Sequence, residues 1–194
     1  MAKKINFYSS VKMHKACLKD EIRPAMNYIH FKGGFAYATD AHCAIKNYLT
    51  DICNLSEEQI TLLDGKILHG ESYAAMLGCH SIIVQEDGIQ CTNAKGIKGA
   101  FFAFYSGDEL KFPDIDEFIK NAKELEPQEG CENGVTRVAI NSEIYRSLID
   151  AFAHKKIIYN FKGDKVPIVC TSDEPRWQNS IAVIMPLAIS DYNV

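Results

Sequence analysis

A short helical stretch followed by β-forming runs broken at tight turns recurs along this chain. That pattern restricts it to an α+β fold of repeated helix-plus-antiparallel-sheet units. In the first stretch Ser9 or Ser10 caps a helix through Val11, Met13, Ala16, Cys17 and Leu18, with Lys12, Lys15 and Lys19 on its polar side. Residues 28–31 and 35–38 flank the Gly33-Gly34 pair as a hairpin, and 44–49 continue as another strand. The second stretch starts at Lys66-Ile67-Leu68 and passes through a helix at 70–77, stopped by Gly78. A hairpin at 81–85 and 88–92 follows, in which Gly88 supplies a positive φ to the turn. Residues 99–105 are apolar enough for a strand buried on both faces. The third stretch runs from a strand at 136–140 into a helix capped by Asn141 or Ser142. That helix passes through Ile144, Leu148, Ile149 and Phe152 and ends at Lys155 and Lys156. Strands at 156–161, 166–170 and 180–189 complete it.

Phe118, Ala122 and Leu125 have helical spacing, and Glu126-Pro127-Gln128-Glu129-Gly130 then breaks the pattern. Residues 119–134 are therefore expected to link a domain at 1–118 to a partial unit at 135–194. The structural repetition is not matched by repeated residue identity.

With 194 residues, of which 47% are hydrophobic, the chain can bury a core without metal or disulfides. The seven cysteines are odd in number and form no CxxC pair, which points to reduced thiols and a cytoplasmic protein. The N-terminal residues carry no signal-type apolar region, and no apolar run reaches the ~18 residues of a membrane helix. A net charge of -4 argues against gripping DNA through the whole surface and leaves room for one basic face.

Candidate chemistry is sparse. Asp40-Ala41-His42-Cys43 places a carboxylate, an imidazole and a thiol together, as a metal site or a Cys/His nucleophile pair would. No second ligand pair with metal spacing accompanies it, and nothing in the sequence lowers the thiol pKa. A turn with a buried thiol is the simpler reading. Met185-Pro186-Leu187 by itself reads as a core strand ended by a proline. Glycine-rich phosphate loops are absent, so no cofactor is expected, and Glu57-Glu58 and Asp114-Asp116-Glu117 read as solvated faces. Lys12, Lys15 and Lys19, with Arg146, Lys155 and Lys156, can form a weak phosphate-facing stripe. No motif for sequence-specific readout accompanies them.

The order of these pieces carries a resemblance. Asp20-Glu21-Ile22-Arg23-Pro24-Ala25-Met26 precedes a hairpin and then Ala38-Thr39-Asp40-Ala41-His42. This is similar to the opening of the middle domain of the bacterial DNA sliding clamp, the beta subunit of DNA polymerase III, where ATDGHRL follows an E-x-R-P run. Phe112-Pro113-Asp114-Ile115 falls where that domain ends in FPDY. Residues 141–152, then Pro167-Ile168-Val169 and Val183-Ile184-Met185-Pro186-Leu187, resemble the second half of the last clamp domain, which ends in MPMRL. The chain departs from the pattern in several places. Ala41 replaces a glycine, Cys43-Ala44 replace Arg-Leu, Glu117 stands at a basic position, and the tail Ala188-Ile189 lacks the arginine. The first clamp domain and about half of the last have no counterpart.

The resemblance implies a non-enzymatic, DNA-clamp-like protein. Its helices would face the hole of a ring closed by homo-oligomerisation, its sheets would face outward, and double-stranded DNA would be held topologically. DNA polymerase or other clamp-binding peptides would enter a hydrophobic pocket formed by Met26, Thr39, Ala41, His42, Cys43, Ala44, Pro113, Phe118, Val183, Met185, Pro186 and Leu187. Lys12, Lys15, Lys19, Arg146, Lys155 and Lys156 would face DNA. Two alternatives stand beside this: a clamp-fold adaptor that does not encircle DNA, and a small enzyme using Cys43 and His42.

Overall fold

Gly33 and Gly34 set the first hairpin. Their φ values of 58° and 81° lie in the left-handed region, which both central positions of a tight hairpin turn require. The strands on either side, β1 (Tyr28–Lys32) and β2 (Phe35–Thr39), pair antiparallel with Lys32 opposite Phe35. A computed structural model describes residues 4–107, 109–129, 137–173 and 180–187. After β2 come β3 (Cys43–Tyr48), α1 (Leu49–Ile52), α2 (Glu57–Leu63), β4 (Ile67–His69), α3 (Gly70–Met76), β5 (Ser81–Val84), β6 (Gly88–Thr92) and β7 (Lys98–Ala103). The second half contributes α4 (Ile115–Glu124), α5 (Ser142–Ala151), β8 (Ile158–Asn160), β9 (Ile168–Thr171) and β10 (Ile181–Ile184).

Among the described residues the strands form two antiparallel sheets. The larger has seven strands in the order β4-β1-β2-β3-β10-β9-β8, and the smaller has the order β5-β6-β7. Chain-early β3 and chain-late β10 are neighbours, so the large sheet is continuous between the two halves. Side chains alternate across it. Cys43, Ile45, Ala182 and Ile184 enter the main core with Met13, Tyr73, Leu148 and Phe152. Tyr37, Ala44, Val169 and Val183 lie on the other face, beneath α4. The expected domain end at 118 falls inside α4, and of the expected 119–134 linker, residues 130–134 lie outside the described residues.

Several elements differ from the sequence expectation. The first helix is a single 3-10 turn, Met13–Ala16, because its flanks bond elsewhere. The Lys12 N–H donates to the Asp150 carbonyl (2.7 Å), the Leu18 N–H donates to Met26 (2.9 Å), and Cys17 is extended. Strand β7 is largely exposed; it is the edge of a three-stranded sheet, and burial begins only at Phe104. Gly88 does not supply a positive φ. It is glycine because a Cβ there would collide with the Phe102 carbonyl and the Phe101 ring. The strand expected at 136–140 is an isolated bridge between Ala139 and Leu187, and residue 136 lies outside the described residues. α5 stops at Ala151, four residues before Lys155, and β10 stops at Ile184. α4 buries Ile115, Ile119 and Ala122, while Phe118 and Leu125 point to solvent. Both triplets have helical spacing. The Asp114 cap, which accepts from the Glu117 N–H, and the apolar sheet face select the first.

The cysteines also need correction. Cys79 and Cys91 form a disulfide, whereas Cys17, Cys43, Cys53 and Cys170 are free and buried. Cys79 lies in the turn before β5 and Cys91 lies on β6 opposite Ile82, with the two Cα atoms 5.9 Å apart. A bridge across 12 residues of sequence is expected to contribute about 3 kcal/mol by restricting the unfolded chain. Urea denaturation with and without reductant measures this, with Cys79→Ser/Cys91→Ser as the control that removes any effect of reductant.

Candidate functional site

The segment 39–43 is a turn held by its own polar side chains. The Asp40 Oδ1 accepts from the backbone N–H groups of His42 (2.9 Å) and Cys43 (2.7 Å). The Thr39 hydroxyl donates to the Cys43 carbonyl (2.7 Å) and accepts from the Ala41 N–H (3.1 Å). Thr39 and Asp40 thus shape the loop through their side-chain oxygens. The turn feeds β3, which runs antiparallel to β10 with Cys43 opposite Ile184 and Ala44 opposite Val183. One step further, the Met185 N–H donates to the His42 carbonyl (2.9 Å) and the Leu187 N–H donates to Ala139 (2.8 Å). Two segments about 140 residues apart in sequence therefore form one seam.

The expected pocket residues divide among different surroundings. Ala41, His42 and Leu187 are exposed at the end of the seam, and Met185 and Pro186 are half-buried beside them. Ala44 and Val183 are 3% and 0% exposed, covered by α4. Cys43 faces the main core on the opposite side of the sheet. Phe118 lies on the outer face of α4. Met26 and Pro113 line a concavity of about 290 Å³ with Arg23, Leu110 and Lys111.

Sequence reasoning missed the groups that fix α4. The Tyr37 hydroxyl donates to Asp116 Oδ2 (2.9 Å), and Lys46 Nζ pairs with Asp116 Oδ1 (2.5 Å). Burial pushes the Asp116 carboxyl up, but the hydrogen bonds from Lys46 and Tyr37 and the Lys46 charge outweigh it and hold it below the usual value. Lys46 also lies 4.2 Å from the Phe35 ring centroid. Period-2 alternation in β2 and β3 puts Phe35, Tyr37, Ala44 and Lys46 on one face, but nothing local says which helix covers it.

Cys43 is unsuited to nucleophilic chemistry. Burial, with the Asp40 carboxylate beside it, pushes its thiol far above the ordinary range. Among the described residues no cluster of His, Cys, Asp or Glu could hold a metal ion. No described helix is long and apolar enough to cross a membrane.

Of the residues expected to face DNA, Lys12, Lys15, Lys19 and Arg146 lie on or beside elements packed on the main-core side of the sheet, away from α4. The Met13–Ala16 turn packs against α5, and both contribute to the main core. Lys15, Lys19 and Arg146 are exposed there. Lys12 pairs with Asp150 (3.6 Å) and Lys156 with Asp173 (2.6 Å), while Lys155 is exposed beyond the helix. His14 registers the local field. Burial and then the charges of Lys15, Lys19 and Lys12 lower its pKa.

Comparison with solved structures bears on this arrangement. The chain is similar to the DNA polymerase sliding clamp of Bacillus subtilis (TM-score 0.52, 14% identity), with 92% of this chain and 61% of that one covered. It is also similar to the DnaN sliding clamp of Bartonella birtlesii bound to griselimycin (TM-score 0.55, 12% identity, 92% and 64% covered). The H. pylori beta clamp in complex with diflunisal gives a TM-score of 0.54 at 11% identity, with 97% and 68% covered. The chain has the sliding-clamp fold. It spans 61–64% of the length of the first two of these clamps. Neither a protein-family model nor a curated protein sequence matches it. In this clamp fold, the alanine at the position where the resemblance expects glycine has a definite consequence. Ala41 has φ 73°, a left-handed conformation that costs a Cβ-bearing residue about 1–2 kcal/mol.

Proposed function

We propose that this protein is a sliding-clamp-like processivity or scaffold factor, cytoplasmic and non-enzymatic. In this reading it encircles or associates with double-stranded DNA as a homo-oligomer and receives polymerase-type peptides at the β3/β10 seam. The observation that carries the proposal is the meeting of the 39–43 turn with residues 184–187 in a clamp fold. The peptide would seat on Ala41, His42, Met185, Pro186 and Leu187, with Met26 and Pro113 on the adjoining concavity; the buried Thr39, Cys43, Ala44 and Val183 would support the seam from within, and Phe118 would border it from the outer face of α4. Residues 1–118 would act as one clamp-type unit and 135–194 as a partial second unit. Lys12, Lys15, Lys19, Arg146, Lys155 and Lys156 would face DNA, where topological retention makes a few sequence-blind contacts sufficient.

The test compares nicked circular with linearised plasmid. Retention on the circle and loss from the linear form are expected, in a preparation that light scattering shows to be an oligomer. Lys15→Glu/Lys19→Glu/Arg146→Glu is expected to flatten the salt dependence of DNA association by up to about 0.9 per lost phosphate contact. Equal retention on both DNAs, or a strict monomer at high concentration, would sink the ring. One observation favours a second reading. Lys12 and Lys156 are already engaged by Asp150 and Asp173 in a chain of net charge -4. An adaptor that binds peptides without encircling DNA would show seam binding and no preference for circles.

A further inference from the structure

Helix α4 closes over the seam with an apolar stripe and is clipped at both ends. Ile115, Ile119 and Ala122 pack on Tyr37, Ala44, Val169 and Val183, in a cluster separate from the main core. Asp116 holds the first turn through Tyr37 (2.9 Å) and Lys46 (2.5 Å). At the other end Lys162 Nζ donates to the carbonyls of Lys123 (2.6 Å) and Leu125 (2.5 Å), and the Gln128 N–H donates to the Lys162 carbonyl (2.6 Å). Residues 109–114 and 125–128 on either side have no helix or strand of their own. A helix held by a small satellite cluster and partly exposed clips has the features of the low-stability end of a fold.

We infer that α4 is an autoinhibitory strap. It occupies the β3/β10 seam as a built-in ligand, and when it lifts, the bared surface takes a partner helix of the same chemistry. That helix is apolar at i, i+4 and i+7, as Ile115, Ile119 and Ala122 are, with a carboxylate at i+1 for Tyr37 and Lys46. The inference rests on the proposed seam as a partner site and specifies its occupant. While α4 is seated, Ala44 and Val183 have no surface to offer a partner. Tethering gives α4 a high effective concentration, so a free helix competes poorly until the clips are weakened.

The test uses a fluorescein-labelled peptide of residues 113–126 and the full chain, wild type and Asp116→Asn/Lys162→Met. Apparent affinity scales with the fraction of molecules in which α4 is lifted. The double variant is therefore expected to bind the peptide at least ~10-fold tighter than wild type. Hydrogen exchange in the absence of peptide is expected to show α4 amides opening at least ~10-fold faster in the variant, with β3 and β10 amides unchanged. Adding Lys46→Met, which removes the carboxylate's partner on the surface, is expected to reverse the gain in peptide affinity while leaving α4 open. Unchanged affinity in the double variant, or α4 amides that exchange only together with those of β3 and β10, would overturn the strap. Neither DNA nor a replication protein enters this measurement. Loss of circle retention with α4 release intact removes the clamp reading alone, and the converse removes the strap alone.

Discussion

Tyr73→Ala is expected to lower stability by about 4 kcal/mol, among the largest effects of any described side chain. Tyr73 lies on α3 with 0% exposure. Its ring meets Phe7 edge-on at 5.2 Å, and Phe7 in turn contacts Phe31 at 6.1 Å, so the side chain joins α3 to the N-terminal segment and to β1. Its hydroxyl donates to the Val11 carbonyl (3.2 Å), and burial pushes the phenol pKa well above its ordinary value. Truncation removes an aromatic ring from a closed core and leaves a buried carbonyl without its donor. Tyr73→Phe keeps the ring and is expected to cost about 1 kcal/mol. Urea denaturation of the two variants separates packing from hydrogen bonding. A Tyr73→Ala loss no larger than that of Tyr73→Phe would contradict the packing described here.

Asn47→Ala is expected to cost about 3 kcal/mol and to loosen the end of α5 before the rest of the molecule. Asn47 is 0% exposed in β3. Its amide Nδ2 donates to the Ala151 carbonyl (2.8 Å) and lies 2.9 Å from Met13 Sδ, and its Oδ1 accepts from the Ala153 N–H (3.1 Å). A side chain on the sheet therefore caps a helix more than 100 residues away, which explains why α5 stops at Ala151. With alanine there, the buried Ala151 carbonyl and the partly buried Ala153 N–H lose their partners at the joint between β3, α5 and the Met13–Ala16 turn. Hydrogen exchange should rise first at residues 151–153. Asn47→Asp replaces the donating amide with a charged acceptor facing the Ala151 carbonyl and should be at least as damaging. A loss below 1 kcal/mol for both variants would show that the cap is dispensable.

The hairpins were the most legible elements, because their signals are local. The Gly33-Gly34 pair between β-forming runs specifies a turn with little reference to the rest of the chain, whereas Gly88 is required by close packing against Phe101 and Phe102. The α5 cap was legible for the same reason: the Asn141 side chain accepts from the N–H groups of Glu143 and Ile144, close by in sequence. The first helix is shorter than its spacing predicts because residues 11–18 bond to Asp150 and Met26 instead. α4 lies where helical spacing predicts it but presents a different face, since Phe118, Ala122 and Leu125 make as good a stripe as Ile115, Ile119 and Ala122. Of the seam, residues 39–43 and 183–187 are both visible, but Asn47 and Lys46 carry no signal and Asp116 reads as part of a solvated acidic face, because their partners are distant in sequence.

Local chemistry in the sequence alone determined the α+β class, the hairpins, the capped helix after Asn141 and the resemblance whose fold the solved clamps share. Those features depend on φ preferences, side-chain alternation and hydrogen bonds spanning a few residues. Only the tertiary structure decided that β3 meets β10, that α4 covers their seam, that Cys79 joins Cys91, and that Asn47 ends α5. Apart from the disulfide, whose cysteines are 12 residues apart, each of these joins surfaces remote in sequence, and the pairing is set by the burial and hydrogen bonding of the whole fold.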